Sequence, residues 1–181
     1  MTRILLVRHG ETDWNRDRRL QGHSDQPLND TGRRQARALA EELAKEPLEA
    51  VYSSDLSRAD ETARIVAEAH GLQVTTLPDL RERHFGTWEG LSDAEIEERF
   101  PEQIASGTLG DGETREEMAR RVLEALQEVA REHPGGTVLV VSHGGPLRSV
   151  LRHCEIDGVE RVGNCHVLQL EAVDGVLREI G

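Results

Sequence analysis

Ile4-Leu5-Leu6-Val7-Arg8-His9-Gly10-Glu11-Thr12 opens with four apolar residues and then turns abruptly polar. A short apolar run bounded in this way reads as a buried β-strand. It delivers Arg8, His9 and Gly10 to the strand's end. Imidazole can act as a nucleophile toward phosphorus, and a guanidinium offers a planar fork of donors suited to phosphate oxygens. Glycine lets backbone and ligand come close. The triplet is short, so its weight depends on what accompanies it.

Downstream, strands and helices alternate, without repeats, low-complexity tracts or linkers. A polar loop from Thr12 to Asp30 leads into a helix over Thr31 to Lys45, with Ala36, Leu39, Ala40 and Leu43 on one face. Glu49 to Tyr52 reads as a second strand. A helix then starts at Ser57, taken as its N-cap, and buries Thr62, Ile65, Val66 and Ala69. Gln73 to Leu77 is a third strand, stopped by Pro78. Leu80 to Leu91 is irregular and holds Phe85 and Trp88.

Capping boxes at Ser92-Asp93-Ala94-Glu95 and Thr114-Arg115-Glu116-Glu117 open two more helices. The first ends by Pro101. The second runs to Glu132 with Met118, Val122, Ala125, Leu126 and Val129 inward. Thr137 to Ser142 is an unbroken apolar strand rich in β-branched residues, as expected of a central parallel strand. Pro146 suits the first turn of a following helix. His166 to Val173 and Val176 to Ile180 flank Asp174-Gly175 as a hairpin or paired edge strands. The expected fold is an α/β protein, a three-layer α/β/α sandwich with a mostly parallel sheet, formed by residues 1–181 as a single domain.

Composition narrows the function classes. Charged residues make up 31% and hydrophobic ones 36%, ordinary for a soluble domain. No stretch approaches the roughly 18 apolar residues that a membrane span needs. The first residues enter a strand directly, without a secretory pattern. Cys154 and Cys165 lack disulfide-framework or zinc-knuckle spacing and read as reduced thiols, so a cytoplasmic location is expected. A net charge of −12 and 3% aromatic content argue against nucleic acid as a partner. They do not exclude a phosphate ligand, because exposed charges beyond about 8–10 Å are screened at physiological salt. A local cluster of arginine and histidine can bind an anion in an acidic protein.

In parallel sheets, ligands bind beyond the carboxyl ends of the strands. His9 follows the first strand, Ser53-Ser54 leads to Arg58 after the second, Glu82 follows the third and His143 the fourth. Each also has an ordinary explanation. Arg58 could be a solvated helix residue paired with Asp55 or Glu61, and Glu82 part of a charged turn. His143 could be a helix-entry residue, although Gly144 and Gly145 leave free N–H groups at that helix N-terminus. Asn15 could cap a turn as easily as touch a ligand. Arg16, Arg18 and Arg19 read as a solvated loop. The ordinary explanations hold singly, but together they require four coincidences.

The chemistry open to this group is phosphoryl transfer with no metal and no organic cofactor. A neutral His9 attacks phosphorus, and a protonated Glu82 gives its proton to the leaving alcohol. The Glu82 carboxylate then activates the water that hydrolyses the phosphohistidine. Charge on the transferring group lies mostly on its equatorial oxygens, which Arg8, Arg58 and a protonated His143 would stabilise, with Asn15 adding a neutral hydrogen bond.

These residues sit in longer matches. The chain resembles the histidine phosphatase superfamily, the phosphoglycerate mutase-like group, over nearly its whole length. The matching stretches are Leu6 through Thr12 with Trp14-Asn15; Gln21-Gly22 with Asp25 and Pro27-Leu28; Ser53-Ser54-Asp55-Leu56 with Arg58-Ala59 and Thr62-Ala63; Leu80-Arg81-Glu82 with Phe85-Gly86 and Trp88-Glu89-Gly90; and Val141 through Gly145. The resemblance implies a nucleophile at His9 and an acid/base at Glu82. It also implies a phosphate pocket of Arg8, Arg58 and His143, with Thr12 and Asn15 nearby and Gln21, Gly22 and Gly144 completing the binding set. A mixed sheet is implied too, and the C-terminal pair is the candidate for its antiparallel part.

Gln21-Gly22 and Phe85-Gly86-Thr87-Trp88-Glu89-Gly90 look like the phosphatase branch, such as broad-specificity and α-ribazole phosphatases. Glu82-Arg83-His84-Phe85-Gly86 comes close to the mutase pattern, with Phe where mutases have Tyr. The cofactor-dependent mutases carry sizeable insertions that keep water from the phosphohistidine. Here only Leu91 to Gly112 is free for a lid. The expectation is therefore a phosphatase acting on a small phosphorylated metabolite. A 2,3-bisphosphoglycerate-dependent phosphoglycerate mutase and a non-catalytic phosphometabolite-binding protein are the alternatives. No exposed apolar stripe declares an interface, and a homodimer is left open.

Overall fold

The computed structural model describes residues 1–108, 111–156 and 162–180. Six strands form one mixed sheet: β1 (Thr2–Arg8), β2 (Leu48–Ser53), β3 (Val74–Thr76), β4 (Thr137–Ser142), β5 (Val167–Val173) and β6 (Val176–Glu179), in the order β3-β2-β4-β1-β5-β6. β1, β2, β3 and β4 run parallel, whereas β5 pairs antiparallel with β1 and with β6. The C-terminal hairpin is thus the antiparallel part of the sheet. β1 and β4 are central and covered on both faces, which is why neither alternates with polar residues.

The faces follow from the period of two along a strand. Leu5, Val7, Leu139 and Val141 face α2 (Asp30–Glu42) and α3 (Ser57–His70), packing with Leu39, Leu43, Ala59, Ala63 and Val66. Ile4, Leu6, Val138 and Val140 face the other way, against Met118, Val122, Leu126 and Val129 of α6 (Arg115–Glu132) and Leu147 and Val150 of α7 (Gly144–His153). The result is the α/β/α sandwich.

Several local expectations shift. Thr12 caps a short helix, α1 (Asp13–Arg16), inside what reads as a polar loop. Ser57 is the first helical residue of α3, not its cap; Leu56 holds the N-cap position, and Asp25 Oδ1 accepts from the Ser57 N–H at 2.7 Å. Ala69 is exposed and Ile65 half-buried, because the inward stripe passes through Ala63 and Ala67 instead. After α4 (Asp93–Arg99), Pro101 starts a further helix, α5 (Pro101–Ser106), consistent with proline's tolerance at a first helical position. Residues 109 and 110 of the 91–112 segment lie outside the described residues.

Parallel register brings the strand ends together. Arg8 pairs with Ser142 and Ser53 with Val141, so the chain leaves β1, β2 and β4 at one edge of the sheet. The His9 N–H donates to the Ser142 carbonyl at 3.0 Å, and the Ser54 N–H to the Val141 carbonyl at 3.0 Å. The buried Ser142 hydroxyl donates to the Leu80 carbonyl at 2.7 Å, tying the loop that carries Glu82 to the end of β4. Replacing Ser142 by Ala leaves that carbonyl without its donor. Urea denaturation is expected to show a loss of about 1–3 kcal/mol. An unchanged midpoint would mean that the tie contributes nothing.

Candidate active site

His9 and His143 meet edge to face at the carboxyl end of the sheet, with ring centroids 5.0 Å apart. His9 is 3% exposed and His143 fully buried. His9 Nδ1 lies 2.6 Å from the Gly10 carbonyl oxygen, a contact that requires the Nδ1 proton. The lone pair is thereby assigned to Nε2. Burial, together with Arg58 and Arg8, holds the His9 pKa well below the ordinary imidazole value, so the ring is neutral at pH 7.

His143 departs from expectation. Burial comes first among its causes, followed by Arg58, His9 and Arg8, and its pKa too falls well below the ordinary value. In the free protein it is a neutral imidazole rather than a cation. The positive charge comes from the two arginines. Arg58 is completely buried, and desolvation brings its pKa down to about 10, against the opposing pull of Glu82, Asp25 and Glu89; it remains cationic at pH 7. Burial also lowers Arg8, with Glu82 opposing and Arg148 adding.

Arg58 is not a solvated helix residue. Its two suggested partners are engaged elsewhere, Asp55 with Arg81 and Glu61 with Arg33. Its guanidinium instead donates to the Gly22 carbonyl at 2.8 Å and the Ser24 carbonyl at 2.9 Å. Arg8 donates to the Val162 carbonyl. Arg8 Nε, Arg58 Nε and both ring nitrogens of His143 are buried and form no hydrogen bond among the described residues. An unsatisfied buried polar group costs about 1–3 kcal/mol, and several such groups together suit an anion bearing several acceptor oxygens.

Glu82 enters from the loop after β3. Its Oε2 accepts from the Gly145 N–H at 3.0 Å and its Oε1 from the Arg83 N–H at 2.8 Å. The carboxylate therefore sits at the N-terminus of α7, close in sequence to His143. The approach needs glycine, because a Cβ on Gly145 would stand 2.0 Å from Glu82 Oε1. Phe85 borders the same cavity as Glu82. Trp88 does not; it stacks on Phe100, 6.1 Å between ring centroids, and lines a neighbouring cavity of 610 Å³ that shares Arg83 and Arg115 with the first.

The remaining predicted residues divide. Thr12 is buried, and its hydroxyl donates to Gln21 Oε1 at 2.8 Å while accepting from the Asn15 N–H. Asn15 Oδ1 accepts from the Thr12 N–H at 3.1 Å, so Asn15 does cap a turn. Gly22 acts through its carbonyl, which anchors Arg58. Gly144 lies in the first turn of α7, where N–H groups lack helical partners. Gly10 is pressed against α2 rather than a ligand: a Cβ there would lie 2.6 Å from the Gly32 carbonyl oxygen. Arg19 is less solvated than expected, bonding the Gly90 carbonyl at 2.7 Å and Glu95 at 2.8 Å.

Residues to which the sequence reading gives no part in the site hold this arrangement. Glu89 accepts from the His23, Ser24 and Phe85 N–H groups, joining the loop that receives Arg58 to the loop that carries Glu82. Arg121 of α6 donates to the Asp79, Arg81 and Glu82 carbonyls at 2.8–2.9 Å and pairs with Glu113. Asn164 donates to the His9 carbonyl at 2.9 Å. Thr62 bridges the Gly10 N–H and the Arg58 carbonyl. Glu89 and Thr62 lie inside matched stretches; Arg121 and Asn164 carry no local signal, since their partners lie far along the chain.

Fold and site together define an enzyme of a known class. Residues 4–176 match the histidine phosphatase superfamily, branch 1. The chain belongs to that superfamily. It is 42% identical to phosphoglycerate mutase-like protein 4 of Arabidopsis thaliana, covering 95% of this chain and 80% of that protein. It is 44% identical to the metal-independent phosphoserine phosphatase of the same plant, over 83% of this chain and 67% of that one. A mycobacterial glucosyl-3-phosphoglycerate phosphatase, solved with VO3, superposes with a TM-score of 0.87 at 32% identity, covering 98% and 96% of the two chains.

The two buried histidines make stability depend on pH. Their folded pKa values lie below those of the unfolded chain, so below about pH 6.5 the unfolded state binds more protons. Stability is then lost as pH falls, by roughly 1 kcal/mol per pH unit for each histidine until the folded values are reached. Chemical denaturation at pH 7.5 and pH 5.5 should show a smaller acid loss in the double variant His9→Asn, His143→Asn than in the parent. Equal losses would assign the acid sensitivity elsewhere.

Proposed function

We propose that the protein is a metal-independent phosphomonoester hydrolase that works through a phosphohistidine on His9. The observation that carries this reading is the His9 ring: neutral, with Nδ1–H held by the Gly10 carbonyl and the Nε2 lone pair left free beside Arg8 and Arg58. Nε2 attacks phosphorus, and the bond from phosphorus to the leaving oxygen breaks. Protonated Glu82 gives its proton to that oxygen. Water, giving a proton to the Glu82 carboxylate, then attacks phosphorus and breaks the P–N bond, restoring neutral His9.

Arg8 and Arg58 neutralise the equatorial oxygens, and His143 and the Gly144 N–H add hydrogen bonds. The Gly10 carbonyl stabilises the cationic ring of the intermediate. Thr12, Asn15, Gln21 and Gly22 support this pocket chiefly by holding the loop and Arg58. The reading includes a single domain over residues 1–181, a small phosphorylated metabolite as substrate and a cytoplasmic location. Cys154 and Cys165 are free thiols, and no helix among the described residues is long and apolar enough to cross a membrane.

His9→Ala is expected to drop turnover below about one thousandth of the parent rate. Acid-labile phosphate on His9 should be trapped by rapid quench in the parent protein. Glu82→Gln should slow glycerol 3-phosphate by about 10²–10⁴-fold and p-nitrophenyl phosphate far less, since only the poor leaving group needs the proton. Equal slowing of both would remove Glu82 as the acid. Turnover is expected to persist in excess EDTA. A mutase reading draws on the name of the 42%-identical relative. Rapid conversion of 3-phosphoglycerate with 2,3-bisphosphoglycerate, releasing little free phosphate, would establish it instead.

A further inference from the structure

The place of the Glu82 carboxyl begins with the Glu82 backbone. Its carbonyl accepts two side-chain hydrogen bonds, from Arg121 Nη2 at 2.9 Å and from His23 Nε2 at 2.9 Å. Arg121 is shared, since it also serves the Asp79 and Arg81 carbonyls and pairs with Glu113. The half-buried His23 ring forms one hydrogen bond among the described residues, and that bond goes to Glu82. A carbonyl only accepts, so Nε2 carries the proton. Burial holds the His23 pKa below the ordinary imidazole value, with the Glu82 bond opposing, so the ring is neutral at pH 7.

The backbone of the same residue serves the other half of the site. His23 stands between Gly22 and Ser24, whose carbonyls accept from the Arg58 guanidinium at 2.8 and 2.9 Å. Its own N–H donates to Glu89 Oε1 at 2.9 Å. One residue thus ties the loop that grips the buried cation to the loop that carries Glu82. The His23 ring packs on His84, with ring centroids 4.9 Å apart. His84 is fixed in turn: its N–H donates to Glu113 Oε2 at 3.2 Å, and its Nε2 lies 3.8 Å from Glu89 Oε1. A ring packed in this way loses little freedom on making its bond.

We propose that His23 is a positioning residue for the general acid, its Nε2–H fixing the Glu82 carbonyl, and through it the carboxyl, relative to Arg58. This assignment rests on the hydrolase reading above, in which Glu82 protonates the leaving oxygen. His23 acts through Glu82 rather than on the substrate. Its loss therefore carries the signature of a displaced acid, not of a damaged phosphate pocket.

The test compares kcat and KM for glycerol 3-phosphate and p-nitrophenyl phosphate. Proteins compared are the parent, His23→Ala, His23→Gln, His23→Asn, Glu82→Gln and the double variant His23→Ala, Glu82→Gln. His23→Ala should lower kcat for glycerol 3-phosphate about 10–100-fold, part of what a general acid supplies, and raise KM by less than about threefold. The same variant should slow p-nitrophenyl phosphate far less, because its leaving group needs no proton. His23→Gln puts an amide N–H near the place of Nε2 and should recover most of the loss. His23→Asn, whose shorter amide matches Nδ1, should not. Added to Glu82→Gln, His23→Ala should cost little more, since the acid it positions is already gone.

Equal slowing of both substrates by His23→Ala, a loss carried by KM, Gln no better than Asn, or full additivity with Glu82→Gln overturns the positioning role alone. Should His23→Ala not fold, the contrast between Gln and Asn on the two substrates decides. Equal slowing of both substrates by Glu82→Gln removes the acid and the positioning role with it. No turnover of any phosphomonoester by the parent overturns the hydrolase reading itself.

Discussion

The pairing of β1 with β4 in parallel register is the constraint on which the site depends. Because Arg8 lies beside Ser142, the next residue on each strand is a histidine, and the two imidazoles meet at 5.0 Å. A one-residue slip would turn Ile4 and Leu6 toward the wrong helical layer and separate the rings. Hydrophobic packing on both faces of these strands therefore does more than bury surface. It fixes the spacing of the two imidazoles from within a core that lies beneath them.

Burial then sets their chemistry. The site buries Arg58, His9 and His143 and partly buries Arg8, and it leaves several of their polar atoms without a protein partner among the described residues. Desolvation weakens the hold of a proton on His9 and, with the neighbouring guanidinium groups, keeps the ring neutral. The same arginines that oppose a proton on the ring place two positive charges beside it. The polar atoms lose stability in the free protein, as expected where preorganisation serves a ligand.

The arrangement is held by backbone carbonyls and carboxylates rather than by the reactive groups themselves. Arg58 is gripped by the Gly22 and Ser24 carbonyls, and Glu89 holds that loop through the His23 and Ser24 N–H groups. Arg121 gathers three carbonyls around Glu82, and its charge is balanced by Glu113. The acidic surplus of the chain thus coexists with a basic centre. Carboxylates such as Glu46, Glu61 and Asp55 are engaged at the periphery, and Glu82 and Glu89 near the centre act as hydrogen-bond acceptors for loops.

Much of this is legible in the linear chain. Unbroken apolar runs at Ile4–Val7 and Val138–Val141 announce central strands, and each leads within two residues to the histidine it positions. The inward faces of α2 and α6 can be read from their period, because one-sided burial leaves a strong stripe. Only the tertiary structure decides whatever depends on distant backbone or on exclusion of water. Arg58 reads equally well as a solvated helix residue, and it takes burial and the engagement of Asp55 and Glu61 to remove that option. His143 reads as a cation, yet its neighbours are arginines in a dry site. Arg121 and Asn164 leave no local trace, since their contacts lie up to 155 residues away. Residue order encodes periodicity and the side chains placed at each strand's end; charge state and hydrogen-bond partnership are properties of an environment that exists only once the chain has closed around it.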